Sequence, residues 1–101
     1  MNDNNIKSVE KALDVLNVLM RNFAHGYTNK ELSDLCGLSA TTICRYLQTL
    51  EAKGFAERIP ETGRIRASHR HAQFAVQIQL SLDEAIRKLE ESKMRILRGA
   101  Q

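Results

Sequence analysis

The chain predicts a mainly α fold: a winged helix-turn-helix of three helices plus a two-stranded β-wing, followed by a C-terminal helical extension. Three observations carry that expectation. An apolar stripe at helical spacing opens the chain, and two short capped helices flank Gly37. Two alternating runs joined by Pro60-Glu61-Thr62-Gly63 then read as a hairpin. The expected organisation is a winged helix-turn-helix domain over 1–68 and a helical extension, suited to self-association, over 69–101.

In the first helix, Ile6, Val9, Leu13, Leu16, Met20 and Phe23 recur by threes and fours and form one face. Ser8 is placed to cap it, and Lys11 marks where the polar side begins. A second stripe of Ala12, Val15 and Leu19 lies beside the first. So wide an apolar surface has two readings. Either the helix is unusually buried, or part of it meets another chain.

Thr28-Asn29-Lys30-Glu31 opens the second helix as a capping box, in which a hydroxyl and a carboxylate each satisfy one backbone N–H. Leu32 and Leu35 are expected to face inward. Gly37 stands where the chain must turn, at a positive φ that only glycine adopts without strain. Leu38 plugs the turn and Ser39 caps the third helix. Its inward face is Ile43, Leu47 and Leu50, with Tyr46 at the margin, and Gly54 ends it after Lys53.

Phe55-Ala56-Glu57-Arg58-Ile59 and Arg64-Ile65-Arg66-Ala67 alternate as strands do, and put Arg64 and Arg66 on one face. The tail is ambiguous: residues 74–80 alternate like a strand, yet Phe74, Ile78, Leu82, Ala85, Leu89 and Ile96 share one helical face. Helix is preferred, because Gln and Ala suit it. Ser81 with Asp83 and Glu84 resembles a cap, so a fresh helix is expected to start there. The seam through Ala75, Ile78, Leu82, Ala85, Leu89, Ser92 and Ile96 steps at coiled-coil spacing.

The whole chain, 101 residues long with 43% apolar residues, has room for one small domain and an appended helix. Its net charge is +3. Between Ser39 and His71, Arg45, Lys53, Arg58, Arg64, Arg66 and Arg70 stand against Glu51, Glu57 and Glu61, an excess that equals the whole chain's net charge. The positive field is therefore concentrated on the third helix and the wing, as a polyanionic partner requires. No apolar run approaches the roughly 18 residues of a membrane span, and the N-terminus lacks a signal peptide's core. A soluble, cytoplasmic protein is expected.

Cys36 and Cys44 are not spaced as a zinc pair, and read as small packing residues. His69 and His71, two apart, read as solvated side chains near phosphate or water. No metal and no cofactor is expected. An enzyme is not expected either, since no nucleophile–base pair, paired carboxylates, phosphate loop or metal quartet is present.

Ser8 to Leu16 (SVEKALDVL) resembles the opening of the IclR family of bacterial transcriptional regulators. Glu31-Leu32, Gly37-Leu38, Thr41-Thr42-Ile43, Arg45, Thr49-Leu50-Glu51, Gly54-Phe55 and Glu61-Thr62-Gly63-Arg64 follow in that family's order, over roughly Ser8 to Ala67. The resemblance implies a winged helix-turn-helix used as a dimer on DNA. The chain departs from the family at Ser39-Ala40, where Pro-Lys is common, at Lys11, where Arg is common, and at Tyr46, where Leu is common. The family's second domain binds a small-molecule effector and needs more chain than follows Ala67, although Ser81–Glu91 resembles its first helix. No small-molecule effector is expected.

The expected function is that of a sequence-specific double-stranded DNA-binding regulator. Helix 39–53 lies in the major groove and wing 55–67 on the backbone or in the minor groove. Ser39, Ala40, Thr41 and Thr42 stand at the positive end of that helix, where hydroxyls and N–H groups meet phosphates or base edges. Arg45, one turn on, is suited to guanine or a phosphate, and Gln48 to adenine. Asn29 and Lys30 are expected on the backbone, as are Arg64 and Arg66 of the wing. Dimerisation is assigned to Ala12, Val15, Leu19, Ile78, Leu82, Ala85, Leu89 and Ile96, giving a homodimer on a palindromic target. Two alternatives stay open: a winged-helix protein–protein docking module, and an architectural DNA binder of low specificity.

Overall fold

The computed structural model describes residues 4–100. Its elements run α1 (Lys7–Arg21), α2 (Asn29–Cys36), α3 (Ala40–Ala52), β1 (Ala56–Arg58), β2 (Ile65–Ala67) and α4 (Arg70–Gly99). This is the winged helix-turn-helix with a C-terminal helix that the sequence predicts. The chain divides after Arg70 into two compact units.

Local chemistry sets the boundaries in the first unit. The capping box of α2 closes with the Glu31 N–H donating to Thr28 Oγ1 at 3.1 Å and the Thr28 N–H donating to Glu31 Oε1 at 2.8 Å. Gly37 ends the helix at φ 66°, and its N–H donates to the Ser33 carbonyl at 3.0 Å. The Ser33 hydroxyl donates to the Leu38 carbonyl and draws the turn tight. Ser39 Oγ accepts the Thr42 N–H at 3.1 Å and starts α3. The first helix departs from expectation: Ile6 is its N-cap, no side chain caps it, and Ser8 lies inside it.

The larger correction concerns which side of α1 is core. Val15 and Leu19, assigned to dimerisation from sequence, are fully buried, with Val18 beside them. Most of the stripe read as the core face is instead open to solvent: Val9 is 51% and Leu13 53% exposed, and Ile6 and Met20 are exposed too, while Leu16 and Phe23 pack against the edge of the core. Helical periodicity groups residues into stripes but does not say which of two adjoining stripes meets α2, α3 and the wing. Complementary volume decides that, and the β-branched and Leu side chains at 15, 18 and 19 fill the space. Leu35, expected inside, is likewise exposed.

The core joins Val15, Val18 and Leu19 to Leu32 of α2, to Ile43, Leu47 and Leu50 of α3, and to Ala56, Ile65 and Ala67 of the wing. Strands β1 and β2 pair antiparallel with Ala56 opposite Ala67, Glu57 opposite Arg66 and Arg58 opposite Ile65. Each strand is shorter than its sequence run. Around the turn, the Ile59 N–H donates to the Arg64 carbonyl at 2.8 Å and the Gly63 N–H to the Ile59 carbonyl at 2.7 Å.

The loop after α1 adds a third edge to the wing. Tyr27 and Ile65 exchange backbone hydrogen bonds at 2.8 and 2.9 Å. Gly26 makes this possible. Its φ is 68°, and a Cβ there would stand 2.4 Å from the Ile65 carbonyl oxygen.

The second unit is formed by α4 from His71 onward, continuous through residues 72–80 and through Ser81, so neither a strand nor a fresh helix start occurs there. No residue of α4 is buried, and Phe74, Ile78, Leu82, Leu89 and Ile96 are all exposed. Arg87 pairs with Glu84 and Glu91 on the helix's charged side. Among the described residues, no helix is long and apolar enough to cross a membrane.

Candidate nucleic-acid interface

Helix α3 buries Ile43, Leu47 and Leu50, which places Thr41, Arg45 and Gln48 on the opposite, exposed side. Two of the hydroxyls at its start are occupied: Ser39 caps the helix and donates to Thr42 Oγ1 at 2.9 Å. Thr42 is half-buried, whereas Ala40 and Thr41 are exposed. Helix geometry leaves the N–H groups of Ala40 and Thr41 without an intrahelical acceptor, so this end presents donors and positive dipole together.

Arg45 is exposed, and its guanidinium has no partner among the described residues; only its backbone carbonyl is used, by the Thr49 hydroxyl at 3.2 Å. Gln48, also exposed, has a long amide contact of 3.9 Å to Cys44 Sγ. At the start of α2, Asn29 is half-buried and Lys30 is exposed. Lys30 pairs with Asp34 at 3.2 Å, an exposed contact of the kind that contributes little and exchanges readily.

The wing arginines differ from Arg45. The Arg64 Nε donates to the His25 carbonyl at 3.2 Å, and its Nη2 to the Gly26 carbonyl at 3.1 Å and to Glu31 Oε1 at 2.7 Å. Arg66 donates Nε and Nη2 to Glu57 Oε2 at 3.1 and 2.9 Å and lies 5.1 Å from the Phe23 ring centroid. Both arginines read from sequence as free cations for a backbone are thus tied to acceptors on their own domain. Alternation along β2 showed their shared face but not these partners.

Further contacts went unread for the same reason. Glu57 also accepts the His69 N–H at 2.9 Å and faces His69 Nδ1 at 2.8 Å, so His69, although exposed as expected, is held against the wing. The His69 ring meets Phe23 edge-on, 5.3 Å between centroids. Arg58 donates to the Gly63 carbonyl at 3.1 Å and pairs with Glu51 at 3.6 Å. Arg70 donates to the Lys53 carbonyl at 3.1 Å.

Two carboxylates feel this chemistry. The Thr28 N–H, with Arg64 adding to it, holds the Glu31 carboxyl below the ordinary range despite some desolvation. For Glu57, burial pushes upward, but the His69 N–H and Arg66 outweigh it and the carboxyl is again lowered. Burial, with Asp14 adding to it, pushes the Cys36 thiol up. Among the described residues, no cluster of three metal-ligating side chains occurs.

Of the residues assigned to self-association, Val15 and Leu19 lie in the core and Ala12 is half-buried. Ala12 lines a groove of about 300 Å³ with Val9, Leu13, Tyr46, Thr49 and Leu50, between α1 and α3. Ile78, Leu82, Ala85, Leu89 and Ile96 are exposed on α4.

The fold recurs in solved regulators. The chain superposes with a TM-score of 0.63 on an IclR transcriptional regulator from Alicyclobacillus acidocaldarius, 27% identical, over 73% of this chain and 30% of that one. HmgR of Pseudomonas aeruginosa gives 0.62 at 25% identity, over 71% and 29%. An IclR family regulator from Brucella abortus, 18% identical over 77% and 29%, shares the fold with a TM-score of 0.60. The chain thus spans about three tenths of the length of these proteins. A search of curated proteins gave no significant match. Residues 8–60, more than half of the chain, match the profile of the IclR helix-turn-helix domain, and the chain belongs to that family of DNA-binding transcription-regulator domains.

Proposed function

We propose that the chain reads a specific sequence in double-stranded DNA, with helix 39–53 in the major groove and wing 55–67 along the backbone or minor groove. The observation that carries this reading is the contrast among arginines. Arg64 and Arg66 are tied to acceptors within the domain, while Arg45 stands exposed in the middle of the outer stripe of α3, its side chain without a partner among the described residues. A guanidinium held there can meet guanine O6 and N7 bidentately, flanked by Thr41 and Gln48. The orphan N–H groups of Ala40 and Thr41 are suited to a phosphate, as is Lys30 once it leaves Asp34.

The protein acts as a homodimer. Within each unit, taken by itself, an apolar face is exposed among the described residues: Ile6, Val9 and Leu13 on α1, and the seam of Ile78, Leu82, Ala85, Leu89 and Ile96 on α4. Exposed apolar area of this kind is what a second copy covers, and a two-fold dimer calls for a palindromic target with half-sites about one helical turn apart or a multiple of it.

Selection of bound duplexes from a random-sequence library, followed by titration of Arg45→Ala on the enriched duplex, tests the reading. Arg45→Ala should cost ~1–3 kcal/mol and relax preference at one base pair. Binding of all duplexes equally well would make the protein an architectural binder, and no mobility shift at low salt would leave a protein-docking module.

A further inference from the structure

We propose that Arg64 is a positioning residue for DNA binding, a strut that locks the wing to the start of α2, and not a phosphate contact. The inference rests on the DNA-binding reading above and concerns how that surface is held.

Arg64 reaches from the wing to two separate places. Its Nε and Nη2 donate to the carbonyls of His25 and Gly26, in the loop that precedes α2, at 3.2 and 3.1 Å. The same Nη2 donates to Glu31 Oε1 at 2.7 Å. That oxygen also accepts the Thr28 N–H at 2.8 Å, so the wing arginine is bonded to the very atom that closes the capping box of α2. Beneath it, Tyr27 and Ile65 exchange backbone hydrogen bonds, and Gly26 lies so close to Ile65 that no side chain fits between. Side chain and backbone therefore cross the same seam side by side.

A phosphate contact needs a cation that leaves its partner cheaply. Lys30 meets that condition, with one exposed acceptor. Arg64 does not. Freeing it would strip a donor from two carbonyls and a counter-charge from a carboxylate, and a phosphate would replace only part of this. Planarity matters as well, because an ammonium cannot serve divergent acceptors as a guanidinium fork does. The consequence is that the orientation of Asn29 and Lys30 relative to the wing is set before DNA arrives, so less is lost on binding.

The test uses the full chain, a duplex enriched from a random library by the wild-type protein, and a random duplex of equal length, titrated over a salt series. All variants are compared at a temperature where circular dichroism shows them folded. Arg64→Lys and Glu31→Gln should each weaken binding to the enriched duplex about tenfold, reduce its advantage over the random duplex, and leave the slope of log affinity against log salt unchanged. A loss of mere stability would not narrow that advantage in folded protein. In the free protein the Arg64 Nε–H should exchange with water far more slowly than that of Arg45. The proposal is overturned if Arg64→Gln flattens the salt slope by about one unit, if Glu31→Gln tightens binding, or if the two Nε–H groups exchange alike. Enrichment of no duplex would instead sink the DNA reading, and this inference with it.

Discussion

Arg66 and Glu57 face each other across the two strands of the wing, and the guanidinium gives both Nε and Nη2 to one carboxylate oxygen, at 3.1 and 2.9 Å. The other oxygen takes the His69 N–H at 2.9 Å, just before α4 begins. Glu57 thus ties the wing's strand pair to the residues that leave it. Removing the carboxylate would strand a half-buried guanidinium against Phe23. Glu57→Ala should cost about 1–3 kcal/mol in urea unfolding, whereas Glu61→Ala at the exposed turn should change stability by less than ~0.5 kcal/mol. Equal losses would show that the Glu57 cluster is not holding the wing.

The inverted face of α1 makes a sharp comparison. Leu19→Ala removes a fully buried side chain and should destabilise by about 2–5 kcal/mol. Leu13→Ser, on the open face, should leave the unfolding of dilute protein nearly unchanged. Sedimentation should show Leu13→Ser shifted towards monomer relative to wild type. A dimer that Leu13→Ser does not weaken would place the interface elsewhere.

Gly26 and Gly37 share nearly the same φ, 68° and 66°, but not the same surroundings. Nothing lies within 4 Å of a Cβ at Gly37, so Gly37→Ala should cost only the left-handed backbone penalty of about 1–2 kcal/mol. Gly26→Ala adds a contact of 2.4 Å with the Ile65 carbonyl oxygen, and must also part Tyr27 from Ile65. Thermal melts should rank Gly26→Ala clearly below Gly37→Ala. The reverse order would contradict the close approach.

Acid should weaken the domain through two carboxyls. The Thr28 N–H and Arg64 hold Glu31 down, and the His69 N–H and Arg66 hold Glu57 down against its burial. A lowered carboxyl binds fewer protons folded than unfolded, so its contribution is whole above the ordinary carboxylate value of about 4.3. It is lost as pH falls through the lowered folded value. Urea midpoints measured downward from about pH 6 should therefore fall below about pH 4.5, and less steeply in Glu31→Gln and Glu57→Gln. An unchanged slope in both variants would mean that neither carboxyl is perturbed.

Much of the fold was legible because its signals are local. Thr28 and Glu31 are three apart and cap the helix they begin; Gly37 turns the chain where the apolar steps break; Ile43, Leu47 and Leu50 mark the inner side of α3 by spacing alone. What spacing could not show is partnership across the chain. Arg64 looks like a free cation until His25, Gly26 and Glu31 are brought to it from more than 30 positions away. The face of α1 failed for a related reason, since Leu13 and Leu19 are equally apolar and only neighbouring volume distinguishes them. Arg45 was legible as an exposed cation because, among the described residues, its guanidinium has no such partner to reveal.

The bridge between Tyr27 and Ile65 has a temporal side. Arg64 and Gly26 are 38 positions apart, so the loop after α1 acquires its partners only when the last strand of the wing is in place. During synthesis, α1, α2 and α3 leave the ribosome before Arg64 can reach the Gly26 carbonyl or the Glu31 carboxylate. The domain completes itself in one late, long-range step. A nascent chain stopped before Ile65 would carry all three of the first helices and yet lack the share of their core that Ile65 and Ala67 supply.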